Sequence, residues 1–246
     1  MLELRRNRDR GYADLGGLKS YYTFSFADYY DPEHVDFGPL QIFNEDRIKP
    51  GKGYPTGQHR DLEVLMYVID GELRHRDSLG NEVGLRAGGL QRITAGTGIS
   101  HTELNASASQ DVHLLFVGIK PASSGLPPSY EHKVFADDEK RGVLRLLAAP
   151  DGAGGSLTIQ QDARLYGGIF HEAQRVELDL PGSRRAYLHV VRGSIAVNET
   201  RLNAGDGVKI NTPDGVVLQH GRHADILLLD LPADSPAPKR KATPKT

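Results

Sequence analysis

YVIDGELRHRDSLGNEVGLRAGGLQRITAG, residues 67–96, reads as strand, Asp-Gly turn, strand, polar turn, short strand, Ala-Gly-Gly turn and strand. HVVRGSIAVNETRLNAGDGVKI, residues 189–210, repeats that order with an Arg-Gly turn and an Ala-Gly-Asp-Gly turn. A weak internal repeat of this kind signals two copies of one architecture. Outward from these stretches, Leu62–Ile69, His113–Ile119, Tyr187–Val191 and Asp225–Leu231 are short runs rich in Val, Ile, Leu and Tyr, which read as strands. No segment sustains a helical apolar period beyond three turns. Turns recur every 8–12 residues or so, the spacing of an all-β sandwich or barrel. PASSGLPPSYEHK, residues 121–133, carries three prolines and no strand pattern, and is the natural linker. The expected organisation is therefore an all-β chain of two barrels. The first covers residues 1–120, the linker 121–133 and the second 134–232, followed by a basic tail at 233–246.

The chain has 246 residues and a net charge of −2, which argues against a basic nucleic-acid binder. The tail ADSPAPKRKATPKT sets four basic residues against one acidic residue and holds no large apolar group. It is expected to be a solvated, disordered tail. Its KRK run leaves a nucleic-acid or address role as the minority alternative. The longest apolar runs, such as Ile226–Leu229, fall far short of the ~20 residues that a membrane helix needs. The N-terminus MLELRRNRDRG lacks a signal-peptide core, and there is no cysteine to form a disulfide, a thiolate zinc site or a cysteine nucleophile. A cytoplasmic, monomeric protein without membrane contact is expected.

Three residues in the first half stand out for chemistry. His101 and Glu103 follow the Ala95-Gly96-Thr97-Gly98 turn at i and i+2, so on a strand both side chains point to one face. His59 lies just ahead of the apolar run Leu62–Ile69 and is expected to open that strand. If the strands are neighbours, two imidazoles and a carboxylate converge, a donor set suited to non-haem Fe(II) and neighbouring divalent metals. The alternative is three polar residues at strand ends in solvent.

Gly98-x2-His101-x3-Asn105 resembles the second cupin motif, and the run around His59, Glu63 and Gly71 resembles the first. More specifically, the chain resembles the bacterial pirin-like bicupins, a group that includes quercetin 2,3-dioxygenases. RGYADLGGLKSYYTFSFADYYDPEHVDFGPLQIFNED, HRDLEVLMYVIDGELRHRDSLGN, TAGTGISHTE and YLHVVRGSIAVNETRLNAGDGV carry the resemblance, over about residues 1–232. It implies two double-stranded β-helix (jelly-roll) barrels, with one divalent metal in the first. Iron is the first choice, and Mn, Ni, Co, Cu and Zn are alternatives. The implied ligands are a His-x-His pair, a later His and a Glu two residues after it. They fall on Gly57, His59, His101 and Glu103, so one ligand is replaced by a glycine and metal binding is expected to be weakened. Gln58 cannot substitute, because it points to the opposite face. The family often carries a Gln and a Trp on the strand after the metal Glu. His113–Ile119 has neither, and places Phe116 and Gly118 there.

The other histidines read as structural. His75 is expected to be a solvated strand residue, and His113 a core or supporting residue. His189 has no partner at i±2, His220 and His223 have the wrong parity for one strand face, and His171 is isolated. The second barrel is thus expected to be metal-free. The resemblance implies an oxygenase acting on a small aromatic or flavonol-like ligand, with Glu103 as both ligand and proton acceptor. A non-catalytic binding or regulatory cupin with a protein partner is the alternative, favoured by Gly57. A metal-free isomerase would need an acid/base pair that the sequence does not single out.

Overall fold

The computed structural model describes residues 2–211 and 215–233. Among these, the chain forms twenty strands, three single-turn 3-10 helices and no α-helix. In the first half lie β1 (Leu2–Arg5), β2 (Gly11–Asp14), β3 (Leu18–Tyr22), β4 (Leu40–Ile48), β5 (Gly53–His59) and β6 (Glu63–Asp70). They are followed by β7 (Glu72–Asp77), β8 (Glu82–Arg86), β9 (Gly89–Thr94), β10 (Ile99–Asn105), β11 (Val112–Ile119) and β12 (Ser129–Val134). In the second half lie β13 (Arg145–Ala149), β14 (Leu157–Thr158), β15 (Arg164–Phe170) and β16 (Val176–Leu178). The last are β17 (Arg184–Val197), β18 (Thr200–Asn203), β19 (Gly207–Ile210) and β20 (Val216–Pro232). No helix of the described residues is long and apolar enough to cross a membrane. The basic tail expected from residue 233 onward lies, past Ala233, outside the described residues.

The first barrel closes a four-stranded sheet, ordered β5-β10-β7-β8, over a seven-stranded sheet, ordered β12-β9-β6-β11-β4-β3-β2. A nine-stranded sheet built around β17 and β20 makes the second barrel. The apolar runs that looked continuous are strands buried on both faces. On β6, Val64, Met66 and Val68 fill the first barrel, whereas Leu65, Tyr67 and Ile69 join a core shared with Tyr187, Leu227 and Leu229 of the second. β11 divides the same way, with Leu114 and Phe116 inside the first barrel and Leu115 and Val117 in the shared core. The barrels therefore pack back to back, leaving the interior of the first one to carry polar groups.

Two segments depart from the expected organisation. The stretch read as a strandless linker contains β12, which pairs with β9 from Ser129↔Thr94 to Val134↔Gly89 and covers that sheet edge. β1, at the start of the stretch assigned to the first barrel, pairs with β19 from Leu2↔Ile210 to Arg5↔Gly207.

Candidate metal centre

The turn before β10 requires a glycine at Gly96. Its φ is +48° and a Cβ there would collide with the carbonyl of Leu126. Asn105 anchors the far end of the strand, with Nδ2 donating to the carbonyls of Ile48 and Gln110 at 2.8 Å each. Between these anchors, β10 pairs regularly with β7, placing His101 opposite Asp77 and Glu103 opposite His75. Against β5 the register shifts, so that Gly57 faces His101 and Tyr54 faces Glu103. The extra residue on β5 falls at Pro55–Thr56, where proline has no N–H for a ladder bond. His59 faces Ile99 and closes β5; it does not open β6, and Asp61 makes the intervening turn at φ +49°.

Glu103 is 1% exposed and its two oxygens are treated unequally. Oε1 accepts from His75 Nδ1 at 2.7 Å, Gln91 Nε2 at 2.7 Å and His101 Nδ1 at 3.2 Å. Oε2 is buried with no partner among the described residues, and so is Nε2 of His101. Because Nδ1 of His101 donates its proton to Glu103, Nε2 carries a free lone pair. Two buried electron-pair donors that no protein group satisfies fit a cation. His59 is half-buried beside them, its ring centroid 5.1 Å from that of His101. Burial lowers its pKa and favours the neutral imidazole that a metal requires.

His75 overturns its expectation as a solvated residue. Its ring is fully buried, because on β7 it shares the inward face with Leu73. His75, His101 and Glu103 offer ligand atoms within 4.8 Å of one another, a grouping that does not include His59. Both nitrogens of His75 are engaged, Nδ1 with Glu103 and Nε2 with Asp77 Oδ2 at 3.1 Å. Only an imidazolium donates to both. Burial alone would lower its pKa, but the bonds to Glu103 and Asp77 outweigh burial and raise it. Tyr130 stacks on this ring at 4.3 Å and bonds Gln91 Oε1 at 3.2 Å, bracing both donors to Glu103.

Gln91 and Asp77 escaped the sequence reading. The usable signal for Gln91 was one amide within β9, a strand whose every residue is buried. β11 indeed lacks a glutamine. There, Ile42 fills the space a side chain at Gly118 would take. Across the barrel, Asp46 is fully buried on β4 and accepts a short hydrogen bond from Tyr54 Oη. Burial raises its pKa to about 6.

The remaining histidines lie away from this centre. His113 is buried as expected and bonds Glu45 Oε1 at 2.9 Å between the barrels. His189, which has no partner at i±2 on its own strand, lies 3.4 Å from Glu45 Oε2, supplied by the other barrel. His171 is not isolated, since its ring meets that of His223 edge-on at 5.3 Å. A cavity of about 580 Å³ lies between the barrels around Lys140, Arg192 and Asp225. A smaller depression of about 410 Å³ opens at His59, between Gln58, Arg60, Ser78 and Ser100. Of His59, His101 and Glu103, His59 is the one that lines the smaller opening.

The Pirin family model fits residues 3–118, and the Quercetinase C-terminal cupin domain model fits residues 146–231. A relative named quercetin 2,3-dioxygenase, from Escherichia coli K12, is 37% identical over 232 residues, covering 94% of this chain and 99% of that protein. A pirin-like protein of Caulobacter vibrioides is 36% identical, over 89% of this chain and 95% of its own. The crystal structure of the bacterial pirin YhhW from Escherichia coli in complex with nickel(II) superimposes with a TM-score of 0.90 at 36% identity, covering 94% of this chain and 99% of that one.

Proposed function

This chain belongs to the pirin family, and on that premise we propose that it is a divalent-metal cupin of the quercetin 2,3-dioxygenase type, acting on a flavonol-like substrate. The observation that carries the proposal is the pair of buried, unpartnered donors, His101 Nε2 and Glu103 Oε2. His59 completes a 2-His-1-carboxylate set with them, and His75 acts from behind Glu103. To bind a metal itself, His75 would have to give up either Glu103 or Asp77. Such a set suits Fe(II), and the nickel(II) bound by the related YhhW supports nickel as well.

A divalent ion held by His59, His101 and Glu103 would supply Lewis-acid chemistry towards the enol oxygen of the substrate. The protein's own groups do the rest. His75 and Gln91 pin Oε1 of Glu103 so that Oε2 keeps its direction. Glu103 accepts the hydroxyl proton as the substrate seats, and the apolar floor of Met66 and Phe116 excludes water. Gly57 favours a second reading, a binding or regulatory cupin whose incomplete shell no longer turns over substrate.

Metal analysis of protein purified without an affinity tag, followed by quercetin turnover in air, separates the two. One equivalent of metal with turnover supports the oxygenase, and one equivalent without turnover supports the binding cupin. Protein that holds no metal and gains none on titration refutes the oxygenase and leaves the binding cupin. His59→Gln should abolish tight nickel binding, whereas His75→Gln should only weaken it; the reverse order would exchange their roles.

A further inference from the structure

The sheet facing the metal centre carries its own unsatisfied polar groups. Asn44 and Asp46 lie two residues apart on β4, and register carries both onto the inner face. Asn44 is opposite Phe116, which is opposite Met66, which is opposite Gln91, the residue bonded to Glu103. Asp46 is opposite Leu114 and Ser20. Asn44 is 2% exposed and Asp46 fully buried, yet among the described residues Oδ1 of each lacks a well-formed hydrogen bond, although the Ser20 hydroxyl interacts with the Asp46 carboxylate. Tyr54 Oη holds the other oxygen of Asp46, and Tyr54 sits opposite Glu103 on the neighbouring strand. Tyr54 thus links the orphaned acceptors to the metal-facing strand. Phe26, Ile42 and Tyr54 pack against the same core and are only partly buried. The rings of Phe26 and Tyr54 stand edge-on or nearly so to Phe116, 6.2 and 6.1 Å away, forming aromatic walls.

Buried acceptors left unpaired in the free protein carry a desolvation cost that a ligand's donors would remove. Two residues apart on one strand, the acceptors start about 6.6 Å apart at the backbone. A single hydroxyl, reaching about 2.8 Å each way, does not span that distance unless the side chains converge. We propose that Asn44 and Asp46, with Tyr54 bracing Asp46, form a subsite that selects aromatic ligands bearing hydroxyl groups beyond the one that meets the metal. A hydroxyl suits both residues, because it can donate to the carboxylate and either donate to or accept from the amide. The subsite has meaning only beside the metal centre proposed above.

The test compares two probes that share the metal-chelating 3-hydroxy-4-keto unit. These are quercetin, with hydroxyls on its outer rings, and 3-hydroxyflavone, with none. Both are titrated by fluorescence into nickel-loaded protein. Wild type should bind quercetin at least about tenfold more tightly. Asn44→Leu removes one polar group, and Asp46→Asn, the conservative variant, replaces the free acceptor with an amide. Each should cost about tenfold in quercetin affinity while leaving nickel and 3-hydroxyflavone affinities within about twofold. Equal binding of the two probes by wild type, or variants that retain the quercetin preference, overturns the subsite. Nickel-loaded wild type that binds neither probe overturns the flavonol reading itself, a distinguishable result.

Discussion

Gly57→His restores a side chain at the one position where the metal shell is short. The structure makes the change feasible. Gly57 does not adopt a left-handed φ, and an ideal Cβ there meets only His59 Nε2 at 3.5 Å and the Pro55 carbonyl at 3.9 Å, ordinary contacts. That Cβ lies beside the His59 ring and opposite His101, so a new imidazole starts on the metal-facing side. Loss of an outer partner alone costs about 10–100-fold in metal affinity. A direct ligand gained should therefore tighten nickel binding at least about tenfold, or ~1.4 kcal/mol. Removing a glycine from a strand should add about 0.5–1 kcal/mol of stability in the metal-free protein. For a chain of this size that is a melting-temperature gain of roughly 1–4 °C. Calorimetric nickel titration and a metal-free thermal melt read the two effects separately. A folded variant with unchanged nickel affinity would falsify the placement of position 57 at the centre, and with it the assignment of His59 as ligand.

Gln91→Leu removes one of the donors that fix Glu103 Oε1, and nickel affinity measured by calorimetry should fall about 10–100-fold. His75 has a folded pKa raised above the ordinary 6.5. Its contribution to metal-free stability should thus be complete below that pH and disappear as pH rises through the folded value. Melts from pH 6 upward should show the decline in wild type and not in His75→Gln. Glu45 accepts from Arg10 Nη2 at 2.7 Å and from His113, and the Arg10 side chain is 1% exposed. Glu45→Gln leaves that guanidinium without its counter-charge, which should cost about 3–5 kcal/mol. The corresponding fall in melting temperature is roughly 6–20 °C; a fall of only a degree or two would show that the Arg10–Glu45 ion pair is dispensable. Although burial opposes it, the hydrogen bond from His113 and the charge of Arg10 hold Glu45 well below the usual carboxylate range. Its contribution should therefore be complete above the ordinary glutamate pKa and vanish only in strong acid.

Local pattern was enough for the all-β class and for the shared face of His101 and Glu103, because turn chemistry and the two-residue period of a strand act over a few residues. That Gly57 offers no side chain where the family resemblance implies a ligand was equally legible, since absence of a side chain is a property of sequence. Alternation in Glu72–Asp77 already placed His75 on the side of Leu73. What local pattern could not say was whether that side faced solvent or the barrel, because a strand's period gives parity and no partner. Only the tertiary structure decided that β7 lies beside β10, that His75 and Gln91 from different strands load one oxygen of Glu103, and that the other oxygen is left free. It alone brought His189 to Glu45 across the barrel interface and Tyr54 to Asp46 across the first barrel. Register between strands distant in sequence fixed these contacts, and register is set by which faces are buried together once the whole sheet has closed.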